Sequence, residues 1–511
     1  MRHKKTSEKS NKWSIIIVLL LLAFLYKTTC SNTAQIAPEI KNVINLVYIL
    51  LLIVVVVIFY ISRKYNVDIE KIFLYIALPI GFIYMLLVPP GIVPDEWYHM
   101  QTTYSISSQL MGIEKEGKLV LREDEYNYIC FQTEEISNDR YVMLYSNSIS
   151  QRSGNYIQTG VDSTSLTNIT GYFPAVVMVT MSRLIGLDAI TTIYLGRMAS
   201  LIFYIFVVYI AIKKLPFMKK PMFMIALFPM ACQQMMSYSY DVIINSMAFL
   251  SIACSLKMVY ASKTIRPNDI ILYLIATFLL FSNKGSVYAV ISLIPILVRY
   301  GQLGRLEKKQ KAIAILACVV FFLIINYNTI ISPAHNNEIS NLSNSVVNWS
   351  GTPSYSISWM IANPFKACFL YGETLFRYGF IYLFSMVGSN LFWLSIDIPV
   401  ILTGAWILLT ILISYFEDNF SLISKKHKFI YIIIVGIIVL ATMTAMAIAN
   451  TPIDYPTIEG VQGRYFIPIA YLMTLCFSKS GNRGNHSEKL LDTVPILIVL
   501  SVYFIMTKCF I

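Results

Sequence analysis

The sequence predicts an all-α protein that crosses a membrane many times. Of its 511 residues, 56% are hydrophobic and only 13% are charged, whereas an average soluble domain has about 25% charged residues. Apolar segments such as 43–61 and 313–331 approach or reach the roughly 20 residues that a helix needs to cross the hydrocarbon core. A soluble core does not require so many segments of this kind.

The Lys and Arg residues set the predicted orientation of the chain. The formal net charge is +12, but the basic residues fall in short clusters between apolar segments, which is typical of cytoplasmic loops and not of a nucleic-acid site. Placing every cluster in the cytoplasm puts the amino terminus inside and the carboxyl terminus outside. The clusters are at 2–12, 63–64, 213–220, 263–266, 299–311 and 425–428, with a weaker one at 479–489.

About thirteen membrane-spanning helices follow from this orientation. The first is interpreted as an uncleaved anchor, because no small-residue cleavage site follows its apolar run. The eight cysteines show neither the spacing of a metal site nor a disulfide framework. The predicted spans are 13–29, 42–62, 72–90, 189–212, 221–238, 241–262, 268–283, 286–300, 312–331, 395–416, 428–449, 464–478 and 491–510.

Two further hydrophobic segments, 172–186 and 369–392, are predicted to be outer juxtamembrane helices. The first contains Arg183 and the second contains Glu373 and Arg377, and counting either one as a span would move a basic cluster outside. The long polar segments 91–171 and 332–364 then also lie outside. We expect the first of these to fold as a cap over the membrane, since loops of this length are usually functional or disordered.

The most informative motif is the run 93–99, which follows the third span on the outer side. Pro94 suits the first turn of a helix, and the dipole of that helix favours negative charge at Asp95 and Glu96. His99 lies within one turn of both acids. Such a group can perform acid–base chemistry or bind a metal, although an ordinary helix start at the membrane interface has the same composition.

Three other segments place polar side chains at the same outer face. Taken singly, each has a structural explanation: a helix cap, a lysine that reaches headgroups, or an arginine paired with lipid. Taken together with the acidic motif, they predict a site for an anionic, lipid-linked substrate. The residues are Asp241 and Asn245 at the start of the sixth span, Lys284 in a tight turn, and Gln462, Arg464 and Tyr465 at the twelfth span.

The motifs resemble a known family. Pro94, Asp95 and Glu96 with His99, the run 239–241 with Asn245, and the run 462–465 resemble the bacterial domain-of-unknown-function family 2142, over about residues 87–476. That family is similar to a branch of the C-type (GT-C) glycosyltransferases, which are membrane enzymes with an acidic motif in the first large outer loop.

The resemblance implies inverting sugar transfer from a polyprenyl-phosphate donor to a cell-envelope glycan or glycolipid, at the outer face of the bacterial cytoplasmic (inner) membrane. It implies a GT-C-like domain over 72–480 with outer loops 91–188 and 332–394, two additional spans in 1–71, and a cytoplasmic loop and last span in 481–511. Asp95 would be the base, with Glu96 and His99 beside it. Arg464 and Lys284 would bind the donor phosphate, and substrate contacts would come from Asp241, Asn245, Gln462 and Tyr465.

Several alternatives stay open at this level. Asp95 and Glu96 either ligate a divalent metal such as Mg²⁺ or Mn²⁺ or work without one. A transporter or flippase for a lipid-linked oligosaccharide is a second interpretation, although it favours polar residues at the span centres, where few are found. A third is a non-catalytic subunit of an envelope-polysaccharide assembly. Membrane lipids are expected partners in every case, and nucleic acid is not.

Overall fold

The protein is described by a computed structural model and is mostly helical. Seven helices in the described part of the chain are long and apolar enough to cross a membrane: Ser14–Asn32, Pro38–Tyr60, Ile69–Leu87, Ala189–Lys214, Asp241–Tyr260, Lys425–Asn450 and His486–Phe510. Three shorter apolar helices are Pro267–Phe281, Val400–Phe416 and Gly463–Phe477. The structure describes residues 2–61, 67–130, 136–146, 153–260, 265–283, 285–298, 346–347, 349–417, 423–478 and 486–510.

These ten helices match ten of the thirteen predicted spans. The predicted span 221–238 is instead two short helices, Lys219–Ala226 and Pro229–Met235. The break falls at Phe228, whose ψ of 141° is extended, because a residue that precedes proline is disfavoured in the helical region.

One of the remaining two predicted spans also differs from expectation. Residues 286–300 were predicted as a helix, but a short helix at Gly285–Tyr288 passes into a 3₁₀ segment at Ala289–Leu297 that contains Pro295. Proline lacks the amide hydrogen that an α-helix requires and clashes with the preceding turn. The predicted span 312–331 lies outside the described residues.

The segment after the third span folds as a compact cap. It contains a two-stranded antiparallel sheet in which Leu121 pairs with Ile157. The elements of the cap are the helices Glu96–Leu110, Glu123–Ile129, Asn138–Ser146 and Ile169–Ile185 and the strands Lys118–Arg122 and Tyr156–Asp162.

A buried ion pair ties the cap together. Arg183 Nε lies 3.2 Å from Glu125 Oε1, and Arg183 Nη1 donates to the hydroxyls of Ser107 and Ser108 at 3.1 and 3.0 Å. Both charged side chains are fully buried. The charge that argued against a span at 172–186 is therefore an internal anchor of the cap.

At the helix ends that lie away from the cap, basic residues form ion pairs with acidic side chains. Lys214 and Lys257 both pair with Asp269, at 2.5 and 2.9 Å, and Lys219 lies 3.3 Å from Glu70. Glu70 is at the start of helix Ile69–Leu87, whereas the acidic motif follows the end of that helix. Likewise, Lys257 is in the last turn of the helix that Asp241 begins. The acidic motif and these lysines thus lie at opposite ends of the same helices.

Glu417 lies at this basic end, and its raised pKa predicts that the stability of the protein depends on pH. Burial raises its pKa to about 7, and Lys220 and Lys219 only partly offset the effect. The pKa of Glu in an unfolded chain is about 4.3. The protonated Glu417 side chain therefore contributes fully to the free energy of unfolding below that pH, and this contribution is lost as the pH rises to about 7. We expect the melting temperature of Glu417→Gln to exceed that of the wild type by an amount that grows from pH 5 to pH 8.

Thermal unfolding in detergent at several pH values measures this difference. Glu488→Gln is the matched control, because Glu488 is an exposed acid at the same end. Parallel melting curves for wild type and Glu417→Gln across this pH range would contradict the assignment.

Helix Pro364–Val387 was predicted as an outer juxtamembrane element and is not among the seven long apolar candidate spans. One face carries Phe365, Phe376 and Phe380, which are 90%, 85% and 77% exposed. The opposite face packs against the segment that precedes Arg464, since the Thr374 hydroxyl accepts a hydrogen bond of 2.9 Å from the Ile458 amide. This helix therefore supports the segment that carries Arg464.

Candidate functional site

Asp95 has a backbone conformation that few residues adopt. Its φ of 62° and ψ of 8° lie in the left-handed region, immediately before helix Glu96–Leu110. Asp and Asn visit this region more readily than other non-glycine residues. A residue held there costs free energy that the surrounding contacts must offset, and such residues concentrate at functional sites.

The loop that leads to Asp95 is held by side chains from other segments. Five consecutive backbone carbonyls, from residues 86 to 90, each accept a hydrogen bond from a side chain, which satisfies acceptors at and beyond the end of the preceding helix. The donors are Tyr145 to Leu86, Tyr141 to Leu87 at 2.6 Å, Arg197 to Val88 and Pro89 at 2.5 and 3.0 Å, and Arg140 to Pro90 at 2.6 Å.

Glu96 forms a buried ion pair with Arg197. Arg197 Nε and Nη2 donate to the two carboxylate oxygens at 2.9 and 2.5 Å, and both side chains are fully buried. The carboxylate also accepts the backbone amides of Gly91 and Tyr238, at 2.8 and 3.2 Å. Glu96 therefore joins three segments of the chain, and each of its oxygens already has two donors.

Arg464 bridges the acidic motif to the start of helix Asp241–Tyr260. Its Nη2 lies 2.7 Å from Asp95 Oδ2, and its Nη1 donates to the Pro94 carbonyl at 3.1 Å and lies 3.7 Å from Asp241 Oδ2. The side chain of Arg464 is 3% exposed and that of Asp241 is 11% exposed, whereas that of Asp95 is 46% exposed. A buried cation thus lies beneath a half-exposed carboxylate.

Gly463 allows Arg464 to reach this position. A Cβ at Gly463 would lie 2.5 Å from the Tyr382 carbonyl and closer still to the Met386 amide and the Ser385 hydroxyl. The 3₁₀ segment Gly463–Phe466 therefore packs directly against helix Pro364–Val387. The group that approaches the backbone at this glycine is the protein's own helix.

We expect Gly463→Ala to destabilise the protein by about 1–3 kcal/mol, the usual cost of an additional methyl in a packed region. The backbone atoms that the new methyl would meet cannot rotate away, so the segment that carries Arg464 must shift. Gly372→Ala is the control, because no atom lies within 4 Å of a Cβ at that position. Equal melting temperatures for the two variants would show that the packing at Gly463 is looser than described.

His99 belongs to an aromatic cluster beside this bridge. Its Nδ1 lies 2.8 Å from the Tyr172 hydroxyl, and its ring is 4.7 Å from that of Tyr240, in an edge-to-face arrangement. Burial raises the pKa of Tyr172, so its phenol stays protonated at neutral pH. Since Tyr240 directly precedes Asp241, the cluster links His99 to the second carboxylate.

The other predicted site residues differ in their placement. Asn245 is buried one turn beyond Asp241, and its Nδ2 has no hydrogen-bond partner among the described residues. Gln462 is half-buried and precedes the 3₁₀ segment. The Tyr465 ring centroid is 5.3 Å from the Arg464 guanidinium carbon. Lys284 lies outside the described residues.

The pair Asp95 and Glu96 does not fit a metal ion. Both oxygens of Glu96 are occupied by Arg197 and by backbone amides, and Arg464 supplies positive charge next to Asp95. Among the residues described, no group of three or more His, Cys, Asp or Glu side chains is arranged to hold a metal. The Glu96 carboxylate is therefore part of the protein's internal structure, and this arrangement does not favour the sequence-based prediction that Asp95 and Glu96 hold a divalent metal.

Two residues of this region were not predicted from the sequence, Arg197 and Arg140. Arg197 was overlooked because it lies within a predicted span, yet a charge inside an apolar helix is itself a signal of a buried partner. Arg140 carried no such signal, since it lies in a polar segment.

Comparison with known proteins gives a family. A family model described as "Predicted membrane protein (DUF2142)" matches residues 78–473. No curated protein and no solved structure matches the chain. The matched range contains Asp95, Arg197, Asp241 and Arg464, and it covers more than half of the chain. The chain therefore belongs to the DUF2142 family of predicted membrane proteins.

Proposed function

We propose that this protein is an inverting membrane glycosyltransferase of the GT-C type. It transfers a sugar from a polyprenyl-phosphate donor to a cell-envelope glycan or glycolipid acceptor, at the outer face of the bacterial cytoplasmic membrane. The proposal includes an arrangement of about thirteen spans with the amino terminus in the cytoplasm.

One observation supports the proposal most strongly. A half-exposed carboxylate in a left-handed conformation, Asp95, lies 2.7 Å from a buried arginine that is distant in sequence, Arg464. Sugar transfer from a phosphate requires both a base for the acceptor hydroxyl and a positive charge for the leaving group. The two requirements are met by neighbouring side chains at the end of the helices that is away from the basic clusters.

The chemistry follows from these two groups. Asp95 takes the proton from an acceptor hydroxyl while the oxygen of that hydroxyl forms a bond to the anomeric carbon of the donor sugar. The bond from that carbon to the phosphate oxygen breaks, and its electron pair leaves with the polyprenyl phosphate, whose charge Arg464 stabilises. A single displacement of this kind inverts the configuration at the anomeric carbon. Asp241 orients Arg464, and Glu96 with Arg197 positions the loop that carries Asp95.

A donor panel tests the proposal directly. Purified protein is incubated with radiolabelled polyprenyl-phosphate sugars and a crude envelope-glycan acceptor, and both release of polyprenyl phosphate and labelling of the acceptor are scored. Consumption of one donor with stoichiometric acceptor labelling is the expected result. Movement of intact labelled lipid across a vesicle bilayer, with no donor in the panel cleaved, would contradict the proposal and favour a flippase.

A further inference from the structure

Arg464 has an unused hydrogen-bonding edge at its contact with Asp95. The Nε–H and one Nη2–H of a guanidinium point in parallel and form a fork that suits two oxygens of one anion. Asp95 Oδ2 accepts from Nη2, but Nε of Arg464 is buried and has no partner among the described residues. A buried donor of this kind is unfavourable unless another group satisfies it.

We infer that Asp95 occupies the anion position of Arg464 in the free protein, and that a phosphate ester takes this position by displacing Asp95. A tetrahedral phosphate can offer one oxygen to Nε and a second to Nη2, whereas Asp95 uses only one of these donors. The identity of the phosphate as that of a polyprenyl lipid rests on the proposed function. The displacement itself rests on the geometry of the arginine.

Asp95, and not Asp241, is the carboxylate that leaves. The Asp95 side chain is 46% exposed and that of Asp241 is 11% exposed, so a ligand that approaches from outside meets Asp95 first. The Asp241 amide donates to the Ser239 hydroxyl at 3.1 Å at the start of a long buried helix, which fixes its position. Half-exposed ion pairs are weak because water competes for both partners.

The exchange of Asp95 for a phosphate at Arg464 sets the order in which donor and acceptor are engaged. While Asp95 is paired with Arg464, its Oδ2 is held by the arginine and is not available to an acceptor hydroxyl. Binding of the phosphate occupies the arginine and frees the carboxylate within the same site. The acceptor is therefore activated only after the donor is in place, which protects the site from unproductive reactions.

Binding of a long-chain polyprenyl monophosphate to the purified full chain tests the inference. Trp97, two residues from Asp95, provides an intrinsic fluorescence signal close to the exchange. We expect Asp95→Asn to bind this lipid about tenfold more tightly than the wild type, a ratio that corresponds to about 1.4 kcal/mol. We expect Arg464→Gln to bind it at least about tenfold more weakly, and Asp95→Asn to have no effect in the Arg464→Gln background.

The controls separate the sources of the effect. Asp454→Asn removes an exposed acid beyond the same end of the helices and should leave affinity unchanged if the effect is local. Non-phosphorylated polyprenol should bind all variants equally. Inorganic phosphate and phosphatidylglycerol vesicles distinguish recognition of a free phosphate, or of any lipid phosphate, from recognition of a polyprenyl phosphate.

Equal or weaker binding by folded Asp95→Asn would overturn the inference, and this comparison remains decisive even if Arg464→Gln fails to fold. The two proposals can fail separately. Tighter binding by Asp95→Asn with no donor consumed in the panel would leave the exchange standing without the transferase. Donor consumption without tighter binding would leave the transferase standing without the exchange.

Discussion

Asp95→Asn is expected to lower the rate of sugar transfer by about 10²–10⁴-fold, the usual contribution of a general base. Asparagine has nearly the shape of aspartate and also tolerates the left-handed conformation that residue 95 adopts. The substitution therefore removes the proton acceptor with little change in backbone strain. Transfer is measured as the initial rate of acceptor labelling at saturating donor.

Two variants guard this prediction against a trivial loss of fold. Asp95→Gly removes the side chain and relieves the strain at φ 62°, which offsets part of the lost contact with Arg464, so it should fold and be as inactive as Asp95→Asn. Asp454→Asn makes the same change of charge at an exposed position and should keep full activity. Full transfer by purified, folded Asp95→Asn would rule out Asp95 as the base.

Arg197→Met is expected to destabilise the protein by about 3–5 kcal/mol, the usual cost of removing one partner of a buried ion pair. The substitution leaves the fully buried Glu96 carboxylate without its cation and the Val88 carbonyl without its donor, while the Pro89 carbonyl keeps only the Ile92 amide. The measurement is the melting temperature in detergent, together with the yield of monodisperse protein.

The double variant Glu96→Met with Arg197→Met gives the sharper comparison. The double variant removes the unpaired Glu96 carboxylate, so it should be more stable than Arg197→Met alone. The amides of Gly91 and Tyr238 lose their acceptor, so its stability should stay below that of the wild type. Arg377→Met is the matched control, because that arginine is 54% exposed and, among the described residues, pairs only with its helix neighbour Glu373. If Arg377→Met costs as much as Arg197→Met, the pair with Glu96 has no special role.

Much of the helical part of the fold could be predicted because the length of an apolar segment reports directly on a helix that can cross a bilayer. Ten predicted spans coincide with helices of the structure. The segments 221–238 and 286–300 were misread because proline changes the backbone within a run that hydropathy alone describes as continuous. Hydropathy measures transfer to lipid and carries no information about an interrupted hydrogen-bond ladder.

Part of the site could also be predicted, since Asp95, Asp241 and Arg464 are polar residues at the ends of apolar segments. What the sequence did not reveal is which acidic side chain pairs with which arginine. Asp95 and Glu96 are adjacent, yet one is half-exposed beside Arg464 and the other is enclosed by Arg197. That division depends on the left-handed turn at Asp95, which directs the two neighbouring side chains to different partners, and no local pattern encodes those partners.

Asp95 and Arg464 are separated by 369 positions in the chain. A membrane protein is inserted as it is synthesised, so the early helices and the cap emerge long before the ribosome reaches the codon for Arg464. During that interval the carboxylate of Asp95 has no cation from this segment. Under the proposed function, activity would therefore begin only after the segment that carries Arg464 has been made, and a product truncated before Gly463 would retain the acidic motif without this arginine.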